Sequence, residues 1–121
     1  MEETRVTTDT KFKDIRRDVG ARMGRLSEEQ PDLMKAFRDL HHAAAKAGAL
    51  DVKTKELIAL GIAVGARCDD CIAFHTHDAM KAGATRAEIL ETLGVAILMG
   101  GGPSMMYATH VLEAMSQFGG E

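Results

Sequence analysis

The sequence predicts an all-α fold: a single-domain bundle of about six helices that assembles into an oligomer. Three observations lead there. Aromatic residues make up only 4% of the 121 residues and Trp is absent, while 45% are hydrophobic. The core must therefore be built from Ala, Leu, Ile, Val and Met, a mixture that suits close-packed helices better than strands. Apolar residues recur at three- and four-residue spacing along most of the chain, and no alternating strand pattern or hairpin signal competes. The length fits one domain, and no repeat or linker divides it.

Residues 1–10 are polar, hold four Thr and lack an apolar period, so they read as a flexible arm ahead of a helical domain at 11–121. Phe12, Ile15, Val19, Met23 and Leu26 carry the first helix. Gly20 and Gly24 weaken it by about 1 kcal/mol each relative to Ala. Pro31 suits a first helical turn and opens the second helix, with Leu33, Met34, Phe37, Leu40 and Ala44 on one face and a stop near Gly48. Asp51 is a natural N-cap for a third helix running to about Gly65. The fourth begins near Cys68 and ends at Lys81-Ala82-Gly83. Thr85-Arg86-Ala87-Glu88 has the form of a capping box and starts the fifth, which stops in Gly100-Gly101-Gly102. Pro103 opens the sixth.

The fifth and sixth helices are apolar around more than one face, whereas a surface helix of a monomer shows one stripe. Burial against a second copy accounts for this, with Met99, Met105, Met106 and Met115 as an adaptable interface; a central helix pair inside a monomer is the competing explanation.

The charge balance excludes several classes. A net charge of −3 lacks the basic footprint of a nucleic-acid binder. No basic segment followed by an apolar run marks a secretion signal at Met1–Arg5, and the uncharged-looking stretch from Thr92 to Leu112 is broken by its glycines and Pro103 before it can span a bilayer. The expected setting is cytoplasmic, with no nucleic acid and no membrane as partner.

The chemistry centres on Cys68-Asp69-Asp70-Cys71-Ile72-Ala73-Phe74-His75. The chain has just these two cysteines. A disulfide three residues apart closes almost no loop and adds little stability, so redox or metal chemistry is the better reading. At a helix start, Cys68, Cys71 and His75 fall on one face. Unpaired N–H groups there favour thiolate, and a histidine one turn on can act as general base for Cys71. Two buried structural cysteines, or a metal site completed by His77, His41 or His42, are the rival readings. Glu56 lies on a face with Ala59, Leu60 and Ala63; burial of that face would aim it at the core with His75 as its partner, while a first-turn Glu serving the helix dipole is an equal alternative. Gly100-Gly101-Gly102-Pro103 lacks the ending of a phosphate loop and reads as a turn, and His110 reads as an ordinary core or interface histidine.

Glu56, eleven residues, Cys68, two residues, Cys71, three residues and His75 together resemble the signature of the alkyl hydroperoxidase D-like proteins of the carboxymuconolactone decarboxylase superfamily. The run from His75 through Ala79 to Gly83-Ala84, then Glu88-Ile89 with Glu91, and Gly101-Gly102-Pro103 extend the resemblance over about residues 31–118. It implies an all-helical fold, oligomers that are commonly hexamers, and a disulfide-cycling pair that reduces peroxides or passes electrons to a peroxiredoxin. By position it implies that Cys68 and Cys71 are the redox pair and that His75 and Glu56 form a proton relay; the mechanism expected on that basis uses an external dithiol as reductant, and no cofactor or metal is expected. One position departs: better-studied members carry a histidine immediately before the second cysteine, where this chain has Asp70. The superfamily's true decarboxylases lack the cysteine pair, so its presence argues against lactone decarboxylation. A metal-binding or redox-sensing subunit is the remaining alternative.

Overall fold

The computed structural model describes residues 10–119; the flexible-arm expectation falls, apart from Thr10, outside them. The described residues form six helices and no strand: α1 (Lys11–Glu29), α2 (Pro31–Ala45), α3 (Val52–Gly65), α4 (Asp69–Lys81), α5 (Arg86–Gly100) and α6 (Gly102–Gln117).

The helix starts follow the local chemistry. Asp51 accepts the Thr54 N–H at 2.7 Å and begins α3. At α5 the Thr85 hydroxyl accepts the Glu88 N–H at 3.1 Å while the Glu88 carboxylate accepts the Thr85 N–H at 2.8 Å, a complete capping box. The α5–α6 turn needs its glycines: Gly101 has φ +73°, and a Cβ on Gly100 would lie 1.8 Å from Ser104 Oγ.

One helix end differs from the sequence expectation and another is closed by an unexpected residue. Helix α2 stops at Ala45, short of Gly48, because the Lys55 ammonium donates to the carbonyls of Ala44 and Lys46 at 2.8 and 2.7 Å and replaces a glycine cap. Helix α3 does end at Gly65, but the left-handed position that closes it is Arg67, at φ +56°. The Arg67 N–H bonds Val64 O and the Cys68 N–H bonds Ala63 O, both at 3.1 Å, which is a Schellman closure. That closure sets where Cys68 enters α4.

Helices α3, α4, α5 and α6 surround the core, and α1 packs along α4 and α6. The core holds Leu60, Val64, Ile72, Ile89, Leu93, Val111 and Met115, with Phe12 inserted from α1. Met115, read as an interface residue from sequence, belongs here instead: it is a fully buried methionine filling a gap in the core. The Phe12 N–H donates to the Gln117 side chain at 2.6 Å, tying the start of α1 to the end of α6. Helix α2 buries no residue, and its apolar stripe faces outward, with Phe37 58% and Leu40 63% exposed.

Candidate active site

Cys68 is the N-cap of α4, with extended backbone (φ −118°, ψ 100°), and its Sγ accepts the Cys71 N–H at 3.2 Å. Both cysteines are free thiols and half-buried. A sulfur in the N-cap position takes the place usually held by a hydroxyl or carboxylate oxygen, so a first-turn amide of the helix is aimed at it. The two thiols are not equivalent. The Cys71 thiol is pushed up to about 11 from an ordinary value of 9.0, first by burial, then by its hydrogen bond to Cys68 and the charges of Cys68 and Asp70. The depressed thiol that a helix start suggests is therefore not found at Cys71. Its proton is firmly held near neutral pH.

Glu56, in α3, is 8% exposed, and His75 Nδ1 donates to its Oε1 at 2.8 Å. The burial of the α3 face next to Leu60 and Ala63 turns the carboxylate inward, and α4 packs against that face. A carboxylate can only accept here, so Nδ1 carries the hydrogen and Nε2 of a neutral His75 keeps its lone pair. Of the four residues singled out by sequence, the structure thus pairs Glu56 with His75 and Cys68 with Cys71. Among the described residues no hydrogen bond joins His75 to Cys71, although the two sit one turn apart on α4.

The Glu56–His75 pair lines a cavity of about 320 Å³, walled by His41, Ala44 and Ala45 of α2 and by Ile58, Ala59 and Ile62 of α3. Neither cysteine is in that lining. A thiolate metal site completed by His41, His42 or His77 is not assembled among the described residues; the metal-capable group is Glu56, His75 and Asp78, whose ligand atoms lie within 4.8 Å of one another. That set is two carboxylates and an imidazole, without sulfur.

Sequence reasoning missed the surroundings of Asp69. His110 Nδ1 of α6 donates to Asp69 Oδ1 at 2.5 Å, and Lys11 of α1 to Oδ2 at 3.4 Å. These residues are 41 and 58 positions from Asp69, so no spacing rule connects them; only the packing of α1 and α6 on α4 does.

The profile of the carboxymuconolactone decarboxylase family matches residues 31–114. An uncharacterised protein of Cupriavidus necator is 44% identical over 109 residues, covering 88% of this chain and 93% of that protein. One of Haemophilus influenzae is 40% identical over 107 residues, covering 88% and 95%. Among solved structures, a carboxymuconolactone decarboxylase family protein from Legionella pneumophila, determined in its apo form, has a TM-score of 0.88 at 50% identity, covering 90% of this chain and 97% of that one. A family protein of Thermotoga maritima, whose suggested role is in an antioxidative response, has a TM-score of 0.59 at 38% identity, covering 69% and 84%.

Proposed function

The chain belongs to the carboxymuconolactone decarboxylase family, and within it we propose a thiol peroxidase: Cys68 and Cys71 reduce a peroxide and cycle through a disulfide, with Glu56 and His75 as proton relay. The observation that carries this reading is the asymmetric thiol pair at the start of α4, in which the Cys68 sulfur caps the helix and receives the Cys71 N–H while the Cys71 thiol lies half-buried inside the first turn.

The asymmetry assigns the steps. The Cys68 thiolate attacks the outer peroxide oxygen; an S–O bond forms, the O–O bond breaks, and the departing alkoxide takes a proton and leaves as alcohol. Cys68 is then a sulfenic acid. The Cys71 sulfur attacks the Cys68 sulfur, the S–S bond forms, and hydroxide leaves as water with the proton that Cys71 gives up. A thiol held protonated needs a base at this second step. His75, oriented through Nδ1 by Glu56, offers Nε2 for it, through an intervening water or a small movement of the first turn. An external dithiol, free or on a peroxiredoxin partner, then reduces the disulfide by exchange and becomes oxidised itself. A reducing cytoplasm supplies such dithiols.

The proximity of Glu56, His75 and Asp78 favours one second reading, a metal-binding subunit. A single experiment separates the two. Reduced protein is treated with one equivalent of organic hydroperoxide, free thiols are counted, and bound metal is measured beforehand. The expected result is loss of two thiols per chain without chain–chain crosslinks, and disulfide closure slowed about 100-fold in His75→Ala. Unreacted thiols in a protein that carries stoichiometric metal would sink the peroxidase reading.

A further inference from the structure

Asp69 follows Cys68 directly and is the first residue of α4. A carboxylate there helps the helix start, but its charge works against a thiolate on either cysteine. Its neighbour Asp70 shows the cost: it is exposed, no hydrogen bond or ion pair among the described residues holds it, and its charge is one of those that push the Cys71 thiol up. Asp69 is treated differently. Both of its oxygens are engaged from other helices, Oδ1 by His110 and Oδ2 by Lys11. The His110 ring is itself steadied between Phe12, with ring centroids 6.3 Å apart, and Tyr107, at 4.7 Å.

We propose that His110, assisted by Lys11, is a positioning residue for the cysteine pair: it holds the Asp69 carboxylate on the α1–α6 side of the turn, away from the thiols. The charged and titratable groups around this turn are Lys11 from α1, His110 from α6, and Asp69 and Asp70 from α4 itself, with Arg67 in the preceding loop and, one turn beyond Cys71, the His75–Glu56 pair; the packed end of α3, Ala63 to Gly65, contributes none. The same clamp anchors the turn whose Cys71 N–H points at Cys68 Sγ. Among the described residues no hydrogen bond joins His110 to either sulfur, and its bond to Asp69 is the route by which it acts. This role rests on the reading of Cys68 and Cys71 as the reacting pair, but it concerns thiol ionisation and not the oxidant.

The test is the alkylation rate of each cysteine against pH, using iodoacetamide on reduced protein, with the two sites separated by mass spectrometry. His110→Ala is expected to slow alkylation of the more reactive cysteine about threefold at pH 7 and to move its profile toward higher pH. Asp69→Asn is expected to alkylate at least as fast as wild type. Adding His110→Ala to Asp69→Asn should change nothing further, which a merely structural role of His110 would not produce. Lys11→Met, at an exposed side chain, should act in the same direction by a smaller factor, and it carries the test if His110→Ala does not fold by circular dichroism. A His110→Ala profile that superimposes on wild type would overturn the proposal. So would an equal slowing by His110→Ala with and without Asp69. Peroxide takes no part in the assay, so a protein that proved inert to peroxide would leave this result standing.

Discussion

Two cysteines three residues apart become chemically different because one lies outside the helix and the other inside it. Cys68, as N-cap, has a sulfur that receives an amide; Cys71 is half-buried and sits beside both Cys68 and the Asp70 charge. Near neutral pH Cys68 is therefore expected to be alkylated before Cys71. Asp70→Asn is expected to speed alkylation of Cys71 about threefold, since it removes one of the charges that raise that thiol. Peptide mapping after brief alkylation checks both, and faster reaction at Cys71 in wild type would refute the order. The same shift has a consequence for stability. A group whose folded value is raised stabilises the fold while it stays protonated and loses that contribution as pH climbs. For Cys71 the contribution is complete below about pH 9 and is lost on approach to about 11. Melting temperature should then fall more steeply over this window in wild type than in Cys71→Ser, and parallel slopes would show that Cys71 ionises freely in the fold.

At the scale of elements, the segment that delivers Cys68 to α4 is a helix stop built around a non-glycine residue. Arg67 occupies the left-handed region at φ +56°, a conformation that costs an L-residue about 1–2 kcal/mol and glycine little. Arg67→Gly removes that cost but adds freedom to the unfolded chain, so a net gain of about 0.5–1 kcal/mol is expected. Arg67→Ala should give none. Urea unfolding of the three proteins measures this, and a loss of stability in Arg67→Gly would mean that the arginine side chain holds the turn. The sequence marks glycine as the stop signal, and at Gly83, with φ +96° after α4, that rule holds. It misses Arg67 because a Schellman closure is satisfied by hydrogen bonds from the chain that follows, here the Cys68 N–H, whatever the side chain at the turn.

In the whole molecule, the unusual feature is how much apolar surface one chain leaves uncovered. Phe37 and Leu40 on α2, Ile58 and Ile62 on α3, and Val95, Leu98 and Met99 on α5 are all exposed, Met99 at 80%. Between α3 and α5 lies an apolar cavity of about 680 Å³, and Ile58 and Ile62 wall both it and the smaller cavity that ends on Glu56 and His75. Apolar faces left outward on three helices are the kind of exposed surface that marks an interface. The outward-facing side chains of α5 run against a central helix pair buried within one chain, and a homo-oligomer, a hexamer by preference, is the proposed arrangement. Light scattering at micromolar concentration is expected to show a multimer. Ile62→Asp or Phe37→Asp should shift it toward monomer while keeping helical content. A wild-type monomer would refute the arrangement.

What the sequence determined by itself is local. Helix number, most of the starts and the positions of Glu56, Cys68, Cys71 and His75 follow from apolar period, capping residues and spacing, because each of these acts within one or two turns of chain. The inward aim of Glu56 was legible to the same extent, through the small and apolar residues that share its face of α3. Three things were decided only by tertiary structure. The thiols were made unequal by the burial of Cys71, which depends on how α4 seats in the bundle. Asp69 was bound by residues far along the chain, Lys11 and His110, which meet only when α1 and α6 pack on α4. And α2, amphipathic in sequence, was left with its apolar face outward. Periodicity records that a face is apolar but not which surface covers it, since burial is a property of the packed assembly and not of the helix.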